Sequence, residues 1–356
     1  MSEPISPAGP PAEITHLVRE RAEARTKQDW KCADTLKAEI EAAGWKVVDR
    51  GSKTSVSLVA PGTVTVGDEV RYGSAAAVPS RLDEPATTPF SVVMVASETP
   101  EALSRLLSAL RDHAPTGTQV VVVANDPSAA QEASLGPDSA DRVRIGGLDP
   151  EILRTSTRLG IAAALNIGLM RASGDVVVLA DGSAWPTGDA ISPLVEALLD
   201  PAVAVVGGFG LAAAEPELLQ PTALVRTDEA DVVALEAGWI AFRRTDFAAL
   251  GPLDERFVVP AWLDVSWTLR LRAGLDPVLN DAHADDADDA ADDAGPEEAL
   301  AGLAPEPPAL PEPRKAVRLE LPLGRAETRW PPERSRMARR NMYRVLASFG
   351  WRDDLT

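Results

Sequence analysis

The chain has 356 residues, of which 45% are hydrophobic, and a formal net charge of −19. This length and composition are typical of a soluble globular protein with two modest domains, or one domain with appendages. The single cysteine, Cys32, excludes an intramolecular disulfide and a cysteine-rich zinc site, and the three histidines lie far apart. The N-terminus lacks a signal-peptide pattern, and no run approaches the about 20 apolar residues that cross a bilayer. We therefore expect a cytoplasmic protein.

More than half of the net negative charge belongs to one segment. Between Asp281 and Glu312 there are eleven acidic residues and no lysine or arginine, set among alanine and proline. Such a segment repels itself and buries too little apolar area to offset the entropy of ordering. We expect a disordered, surface-exposed insertion over residues 281–315. A calcium or manganese site is the alternative, but the glycine turn and ligand spacing of an EF-hand loop are missing.

The N-terminal part divides into three pieces. Residues 1–12 are rich in proline and predict a disordered tail. Residues 13–73 predict a helical module with two helices and several short strands. The second helix has Asp29 as its N-cap and Gly44 as its stop. The composition of residues 74–88 is typical of a linker, so the domain boundary is placed there.

From residue 89 onward, apolar strands alternate with helices. The runs that end at Ala96, Ala124 and Ala180 are short, continuous and apolar, and helical segments separate them. The pattern predicts an α/β domain over residues 89–280, with a mainly parallel, Rossmann-like sheet covered by helices on both faces. Ligands of such sheets bind beyond the carboxyl ends of the strands. A strand and a basic helix in residues 316–356 are expected to complete this domain.

Four segments of this domain resemble, in order, motifs of family-2 glycosyltransferases. TPEALSRLLSAL is similar to the helix after the family's first strand. RLGIAAALNIGLMRASGDVVVLADGS is similar to the family's Gly-x-Ala-x-Ala-x-Asn-x-Gly helix, strand and Asp-x-Asp turn. GWIAFRRTDFAALGPLDERF resembles the acceptor-side segment, and WLDVSWTLRLRAG the helix that the family opens with a Glu-Asp pair. The resemblance implies a GT-A fold and inverting transfer from a nucleotide-sugar donor to a glycan, lipid or protein acceptor.

A second resemblance lies in the N-terminal module. AEARTKQDWKCADTLKAEIEAAGWKVVDRGSKTSVSL looks like the C-terminal end of cysteinyl-tRNA synthetase, in its anticodon-binding part. The chain has no His-Ile-Gly-His or Lys-Met-Ser-Lys-Ser motif, which excludes the synthetase itself. Basic residues make tRNA binding one interpretation, and a packing or oligomerisation role with solvated charges is the other. These residues are Arg19, Arg21, Arg25, Lys27, Lys31 and Lys37.

The resemblance assigns the donor side of the site to the turn after the third strand. Asp181 corresponds to the first carboxylate of the Asp-x-Asp motif, which holds a divalent cation on the donor diphosphate. Ser183 stands in place of the second carboxylate, and a hydroxyl is a poorer ligand for Mg²⁺ or Mn²⁺. Asp181 is therefore the predicted ligand of a weakly held cation, with Ser183 beside the donor. In the alternative, Asp181 only caps the turn.

Asp264 is the candidate catalytic base. The family's Glu-Asp pair corresponds here to Leu263 and Asp264, which keeps the second carboxylate. The dipole of the helix favours the ionised form at this position, so we expect a lowered pKa and a base that acts mainly through its placement. The alternative is that Asp264 is the N-cap of that helix.

Four further residues are predicted to contact the nucleotide. Asn125 and Asp126 follow the second strand, near the position where the family carries an aspartate that binds the pyrimidine edge. The amide of Asn125 offers both a donor and an acceptor. Ser97 and Glu98 follow the first strand, where the family has Pro-x-Tyr-Asn, so an aromatic stacking surface is lost.

The departures from the family pattern leave two interpretations of function. The family's C-terminal histidine is absent as well, although Arg325 and Arg329 lie where they can meet a diphosphate. We predict a glycosyltransferase of the hexosyltransferase type, with Asp264 as base and Asp181 on the donor side. The alternative is a catalytically degenerate protein of the same fold that binds a nucleotide, glycan or protein partner. A nucleotidyltransferase is disfavoured because no glycine-rich phosphate loop follows the first strand.

Overall fold

The computed structural model describes residues 12–43, 45–50, 53–59, 61–96, 100–135, 149–213, 224–274, 312–326, 332–350 and 355. The helices in these ranges are α1 Ala12–Thr26, α2 Trp30–Ala42, α3 Pro100–His113, α4 Ala129–Leu135, α5 Ile161–Leu169, α6 Ser192–Ala197, α7 Arg244–Leu250, α8 Leu263–Ala273 and α9 Pro332–Phe349. None of the helices in these ranges is both long and apolar enough to span a bilayer.

The strands are β1 Trp45–Arg50, β2 Lys53–Leu58, β3 Val64–Val66, β4 Glu69–Tyr72, β5 Thr88–Val95, β6 Thr118–Ala124, β7 Glu151–Thr155, β8 Gly174–Ala180, β9 Ala184–Pro186, β10 Val203–Gly207, β11 Gly210–Ala213, β12 Leu224–Thr227, β13 Asp231–Val232, β14 Ala234–Leu235, β15 Trp239–Arg243, β16 Lys315–Arg318 and β17 Leu323–Arg325. The chain divides into two compact units, Met1–Thr63 and Val64–Thr356.

The first unit contains two packed helices and a hairpin. α1 packs against α2, and β1 pairs antiparallel with β2. Asp29 accepts a hydrogen bond from the backbone N–H of Cys32 at 3.1 Å, which confirms it as the N-cap of α2. Arg21 and Arg25 both donate to the carboxylate of Asp49, at 2.6 and 2.8 Å. Two of the basic residues that the RNA-binding interpretation requires are therefore neutralised within the fold.

The second unit is built on a ten-stranded sheet with the order β13-β16-β10-β15-β8-β5-β6-β7-β4-β3. Its middle is parallel, because β5 pairs in parallel with β6 and β8, and β6 with β7. β15 lies antiparallel between β8 and β10 and places Trp239 opposite Ala180. The carboxyl ends of β5, β6 and β8 therefore lie along one edge of the sheet.

Helices cover both faces of this sheet. Successive side chains of a strand point to opposite faces, so Val92 and Met94 of β5 join a core with α3, α4 and α6. Val93 points the other way and joins a core with α5, α7, α8 and α9. All three side chains are fully buried. This arrangement confirms the predicted fold class, a mainly parallel α/β sheet with helices on both faces.

The boundary between the two units lies earlier than the sequence predicts. The hairpin of β3 and β4 falls inside the predicted N-terminal module, yet Tyr72 of β4 pairs in parallel with Thr155 of β7 in the large sheet. The predicted linker, residues 74–88, is also fixed to the second unit. The buried Arg244 donates to the carbonyls of Arg81 and Glu84 at 2.8 and 2.9 Å. Its composition does not reveal these contacts, because they are made by backbone carbonyls, which every type of residue carries.

Residues 281–311 of the predicted acidic insertion lie outside the described residues, and so do residues 1–11 of the predicted tail. The predicted insertion ends at residue 315, but Lys315 already begins β16. The two flanks of the undescribed stretch meet near the end of α8. The backbone N–H of Arg314 donates to the carbonyl of Arg272 at 2.9 Å, and the Arg272 guanidinium donates to the carbonyl of Arg314 at 3.2 Å. The described residues on the two sides of this stretch are therefore hydrogen-bonded to each other.

Candidate active site

Asp181 lies directly after β8, in the tight turn that leads to β9. Its backbone N–H donates to the carbonyl of Gly238 at 3.3 Å. Both the N–H and the hydroxyl of Ser183 donate to Oδ1 of Asp181, the N–H at 2.8 Å. No residue in the described ranges donates to Oδ2. Asp181 therefore stabilises the turn with one oxygen and presents the other at the carboxyl edge of the sheet.

Asp264 is the second residue of α8 and not its N-cap. The cap position is taken by Trp262, whose backbone is left-handed with φ of 68°. Oδ1 of Asp264 accepts the N–H of Val265 at 2.9 Å, and Oδ2 accepts the N–H of Ala237 at 2.7 Å. The carboxylate therefore faces the segment that leads into β15. The N-cap interpretation of Asp264 is wrong because the helix begins one residue before it.

The pKa of Asp264 is raised, which contradicts the lowered value that the sequence predicts. Burial of the carboxyl group raises the pKa from 3.8 to about 7, and the negative charge of Glu236 adds to the increase. The N–H donors of Ala237 and Val265 oppose the shift but do not cancel it. The pKa-lowering effect of the helix N-terminus is thus smaller than the pKa-raising effect of desolvation. A carboxyl group with this pKa is a stronger base than an ordinary aspartate and is still partly ionised at neutral pH.

The dipeptide Ala237-Gly238 brings the two predicted carboxylates to one corner of the sheet. Asp264 accepts the N–H of Ala237, and the carbonyl of Gly238 accepts the N–H of Asp181. One turn later in α8, Thr268 accepts the N–H of Leu235 at 3.3 Å. Asp264 and Thr268 therefore fasten α8 to the segment that precedes β15. This gives Asp264 a structural role in addition to any role in catalysis.

Glycine is required at position 238 by backbone conformation and by space. Its φ is 128°, a region that side chains disfavour. A Cβ there would lie 3.0 Å from the ring of Phe209 and 3.3 Å from the Cβ of Ala184. The close approach lets β9, Phe209 and the segment before β15 pack around the corner between Asp181 and Asp264.

Two arginines flank the turn after Asp181. Arg105 of α3 donates to the carbonyl of Gly182 at 3.0 Å, and its guanidinium lies 4.0 Å from the ring centroid of Trp185. Arg325 pairs with Ala184 across β17 and β9. Arg325 is one of the two cations that the sequence places near the donor, whereas Arg329 lies outside the described residues. Nothing in the sequence singles out Arg105, which is one of several charges on the exposed side of an amphipathic helix.

Glu236 lies between two arginines, Arg226 and Arg325, and binds both of them. It accepts two hydrogen bonds from Arg226, both at 2.7 Å, and lies 2.7 Å from Nη2 of Arg325. Burial alone would raise the pKa of Glu236, but the hydrogen bonds from Arg226 and Arg325 lower it. Glu236 is therefore an anion that holds Arg325 in place. Its role depends on contacts between distant segments, which no local sequence pattern indicates.

Asn125 and Asp126 lie at the end of β6, two strands away from Asp181 in the sheet. The amide of Asn125 donates to the carbonyl of Leu159 at 2.9 Å and accepts the N–H of Leu159 at 2.8 Å. The predicted contact with a nucleobase edge is thus limited to its remaining N–H. Asp126 has a left-handed backbone, with φ of 50°, and its N–H donates to Thr155 at 2.9 Å. Its carboxylate is exposed to solvent, whereas Ser97 and Glu98 lie outside the described residues.

The small-residue motif in α5 packs the helix on the sheet. A Cβ at Gly168 would lie 2.6 Å from Val93 and 2.9 Å from Val123, so the helix lies directly on the sheet. The buried amide of Asn166 donates to the carbonyl of Leu253 at 2.9 Å and accepts its N–H at 2.8 Å. The motif therefore positions the acceptor-side segment that precedes Asp264.

The residues at this corner do not fit a divalent cation held by protein carboxylates. Asp181 has one oxygen available, while the hydroxyl of Ser183 donates to the other. Asp264 is held by backbone N–H groups, and Glu236 by two guanidinium groups. No group of three or more His, Cys, Asp or Glu residues in the described ranges is arranged to hold a metal ion. The corner presents arginines where metal ligands are expected.

Two segments of the chain match known families. Residues 91–239 match the profile described as glycosyl transferase family 2, and residues 8–56 match the cysteinyl-tRNA ligase anticodon binding domain. Both resemblances that the motifs predict are therefore confirmed over these ranges. No curated protein is significantly similar to this chain.

Solved structures that are similar to this chain include several glycosyltransferases. The mannosyltransferase PcManGT from Pyrobaculum calidifontis, in complex with GDP-Man and Mn²⁺, is 19% identical over 55% of each chain, with a TM-score of 0.42. GalNAc-T7 with UDP, GalNAc and Mn²⁺ is 18% identical over 54% of this chain and 41% of its own, with a TM-score of 0.43. S. aureus TarS is 16% identical over 52% of this chain and 34% of its own, with a TM-score of 0.40. The chain thus spans about half or less of the length of these proteins.

Proposed function

We propose that the second unit, which carries the family-2 match, transfers a sugar from a nucleotide-sugar donor to an acceptor hydroxyl with inversion at the anomeric carbon. The observation that carries this proposal is the convergence of Asp181 and Asp264 on Ala237 and Gly238. One carboxylate lies at the strand end where ligands of parallel sheets bind, and the other has a raised pKa. The acceptor is a hydroxyl of a glycan, a lipid or a protein.

In this proposal Asp264 is the general base. It accepts the proton of the acceptor hydroxyl while the hydroxyl oxygen bonds to the anomeric carbon. The bond between that carbon and the phosphate oxygen breaks in the same step, and the nucleoside diphosphate leaves with the electron pair. Each oxygen of Asp264 accepts one backbone N–H and keeps a further lone pair for the proton. A pKa of about 7 matches the base to neutral pH.

Replacing Asp264 by asparagine tests the assignment of the base. Asp264→Asn is expected to lower sugar transfer by about 10²- to 10⁴-fold, the usual contribution of a general base, with donor binding nearly unchanged. Donor hydrolysis and transfer are measured with a panel of nucleotide sugars, and binding by calorimetry. Asp181→Asn is the complementary variant. It is expected to weaken binding of the nucleotide sugar more than it slows transfer, because Oδ1 still accepts the two groups of Ser183 and the oxygen that can accept a hydrogen bond from a donor hydroxyl becomes an N–H group.

Thr268→Val is the matched control for Asp264→Asn. It removes the neighbouring attachment between α8 and the segment before β15 but leaves the carboxylate in place. Its loss of activity is expected to stay below about tenfold, since one neutral hydrogen bond contributes about 1 kcal/mol. Equal losses in the two variants would mean that Asp264 acts only by fastening the helix.

The alternative function is nucleotide binding without turnover. The observation that favours it is the pair of contacts that Asp264 and Thr268 make with backbone, which accounts for Asp264 without catalysis. A wild-type protein that binds UDP or GDP but releases no sugar from any donor of the panel, in water or with acceptors, supports this alternative. Release of sugar that is lost in Asp264→Asn and kept in Thr268→Val contradicts it.

A further inference from the structure

Two arginines, Arg105 and Arg325, lie at the turn after Asp181, although the whole chain is acidic, with a net charge of −19. Arg105 and the segment of Arg325 contact the backbone of three successive residues in this turn, Gly182, Ser183 and Ala184. Arg105 donates to the carbonyl of Gly182, the residue after Arg325 donates its N–H to the carbonyl of Ser183 at 2.7 Å, and Arg325 itself pairs with Ala184. The Arg105 guanidinium and the backbone of Arg325 therefore lie beside the turn that follows β8, where the donor is expected.

Each of these guanidinium groups is held by an aromatic ring and by one hydrogen bond. Arg105 lies 4.0 Å from the centroid of Trp185, and Arg325 lies 4.0 Å from the centroid of Phe209. Such stacking fixes the plane of the group and leaves its edges open. Nη2 of Arg105 binds the Gly182 carbonyl, and Nη2 of Arg325 binds Glu236. The Nε and Nη1 groups of both arginines have no acceptor among the described residues.

Phosphate oxygens are the ligands that such groups bind best. A guanidinium presents parallel N–H donors that match a phosphate, and its charge is permanent. Cations beside a leaving diphosphate stabilise the negative charge that develops as it departs. The described residues offer two preorganised cations here but no set of carboxylates that could hold a metal ion.

We propose that Arg105 and Arg325 bind the diphosphate of the donor directly, in place of a divalent cation held by the protein. The inference rests on the proposed function and names the groups that bind its substrate. Glu236 orients Arg325 in the free protein through its carboxylate, and the open N–H groups of Arg325 receive the phosphate oxygens. When the glycosidic bond to phosphate breaks, the electron pair stays on the diphosphate, whose negative charge the guanidinium groups stabilise.

Calorimetric titration of the full-length protein with UDP and GDP tests this proposal. Titrations are run in EDTA and in Mn²⁺, and uridine and guanosine serve as ligands without phosphate. We expect the same affinity for the diphosphates in both conditions, within about twofold. Arg105→Gln and Arg325→Gln are each expected to weaken diphosphate binding by about tenfold or more, equal to about 1.4 kcal/mol, and to leave nucleoside binding unchanged.

Arg111→Gln is the matched control, because Arg111 lies on the same helix as Arg105 but hydrogen-bonds to Asp112 at its far end. It is expected to change affinity by less than about twofold, as is usual for an exposed ion pair. Glu236→Gln is expected to change diphosphate affinity in the direction opposite to the change in the Arg105 and Arg325 variants. It keeps an oxygen acceptor for Arg325 but removes a competing negative charge, so diphosphate binding is expected to become tighter, which a damaged fold would not produce.

The outcomes separate this inference from the proposed function. Binding that needs Mn²⁺ and is unchanged in both arginine variants overturns the inference and leaves glycosyl transfer standing. Unchanged or weaker binding in Glu236→Gln, with no effect of Arg325→Gln, also overturns it. If the wild-type protein binds neither UDP nor GDP in either condition, both the inference and the proposed function fail.

Discussion

The ionised carboxylate of Asp264 is unfavourable in the folded protein. Burial raises its pKa from 3.8 to about 7, so the folded chain keeps this proton over a pH range in which the unfolded chain has released it. Stability falls with pH wherever the folded state binds more protons. Asp264 therefore lowers the stability of the fold as the pH rises from about 4 to about 7, which is opposite to the effect of an aspartate in an ion pair.

Asp264→Asn is expected to stabilise the protein at high pH. Each pKa unit corresponds to about 1.4 kcal/mol, so ionised Asp264 costs up to about 4 kcal/mol above pH 7. Asparagine loses one of the two backbone hydrogen bonds, at a cost of about 1 kcal/mol at every pH. The melting temperature of the variant minus that of the wild type should thus increase between pH 5 and pH 8. A difference that stays constant or decreases with pH would contradict the raised pKa.

Single residues at the site divide into those that local sequence indicates and those it does not. Asp181 and Asp264 are indicated because each is the remaining carboxylate of a two-carboxylate motif, in which Ser183 and Leu263 replace the other member. Glu236 and Arg105 are not, because their roles depend on contacts with residues far away in sequence. The direction of the Asp264 pKa is also beyond local sequence, since burial is set by the packing of α8 on the sheet.

In helix α5, contact with the sheet determines a residue that helix propensity alone would disfavour. Glycine in a helix interior is usually unfavourable by about 1 kcal/mol relative to alanine. Gly168, the next-to-last residue of α5, is required because a Cβ added there would lie less than 3.0 Å from both Val93 and Val123. The helix needs this contact to lie flat on β5 and β6 and to carry Asn166 to the acceptor-side segment.

Gly168→Ala is therefore expected to destabilise the protein, whereas glycine-to-alanine changes in helices usually stabilise. Overpacking of a buried site costs about 1–3 kcal/mol, and the gain in helix preference recovers at most about 1 kcal/mol. Denaturant unfolding measures the difference. Gly62→Ala is the control, since no atom lies within 4 Å of its added Cβ. An increase in stability for Gly168→Ala would show that α5 can move away from the sheet without cost.

The sequence predicts which elements exist better than where they end. The buried strands β5, β6 and β8 are found within two residues of the predicted runs, because continuous apolar stretches have few alternatives. The helix expected within the segment RLGIAAALNIGLMRAS spans only Ile161–Leu169. Its N-terminal part is a loop because Asn125 binds the backbone of Leu159 from another strand, a contact that helical periodicity does not contain.

At the scale of the whole molecule, the predicted linker is part of the second unit. Residues between the hairpin of β3 and β4 and the start of β5 supply carbonyls to Arg244, which is only 7% exposed. The backbone carbonyl of Tyr72 also accepts the N–H of Ser156 at 2.9 Å. Composition alone suggests a flexible connection here, because alanine, proline and serine show no sign of the contacts that their backbone makes.

Two truncated chains test this boundary. A chain that starts at Val64 should be soluble and fold cooperatively, because it keeps the hairpin and the carbonyls that Arg244 binds. A chain that starts at Pro85 should be insoluble or far less stable, since it loses β3, β4 and the carbonyls of Arg81 and Glu84 that bind Arg244, each worth about 1.5–3 kcal/mol as a hydrogen bond to a charged group. Circular dichroism and thermal unfolding of both chains provide the measurement. Equal stability of the two chains would mean that residues 74–84 act only as a linker, as the composition predicts.

The meeting of Arg272 and Arg314 makes the second unit a protein of two separable pieces. Everything up to α8 forms one piece, while the other supplies β16, β17 with Arg325, and α9. β16 lies between β13 and β10 in the sheet, so the second piece is held by strand pairing on both sides as well as by α9. A cut between α8 and β16 leaves the pairing of β16 with β10 and β13 in place. We therefore expect that the two fragments can be produced separately and recombined. The proposed binding of a nucleoside diphosphate, which needs Arg325 from the second piece, is then the measurement of their reassembly.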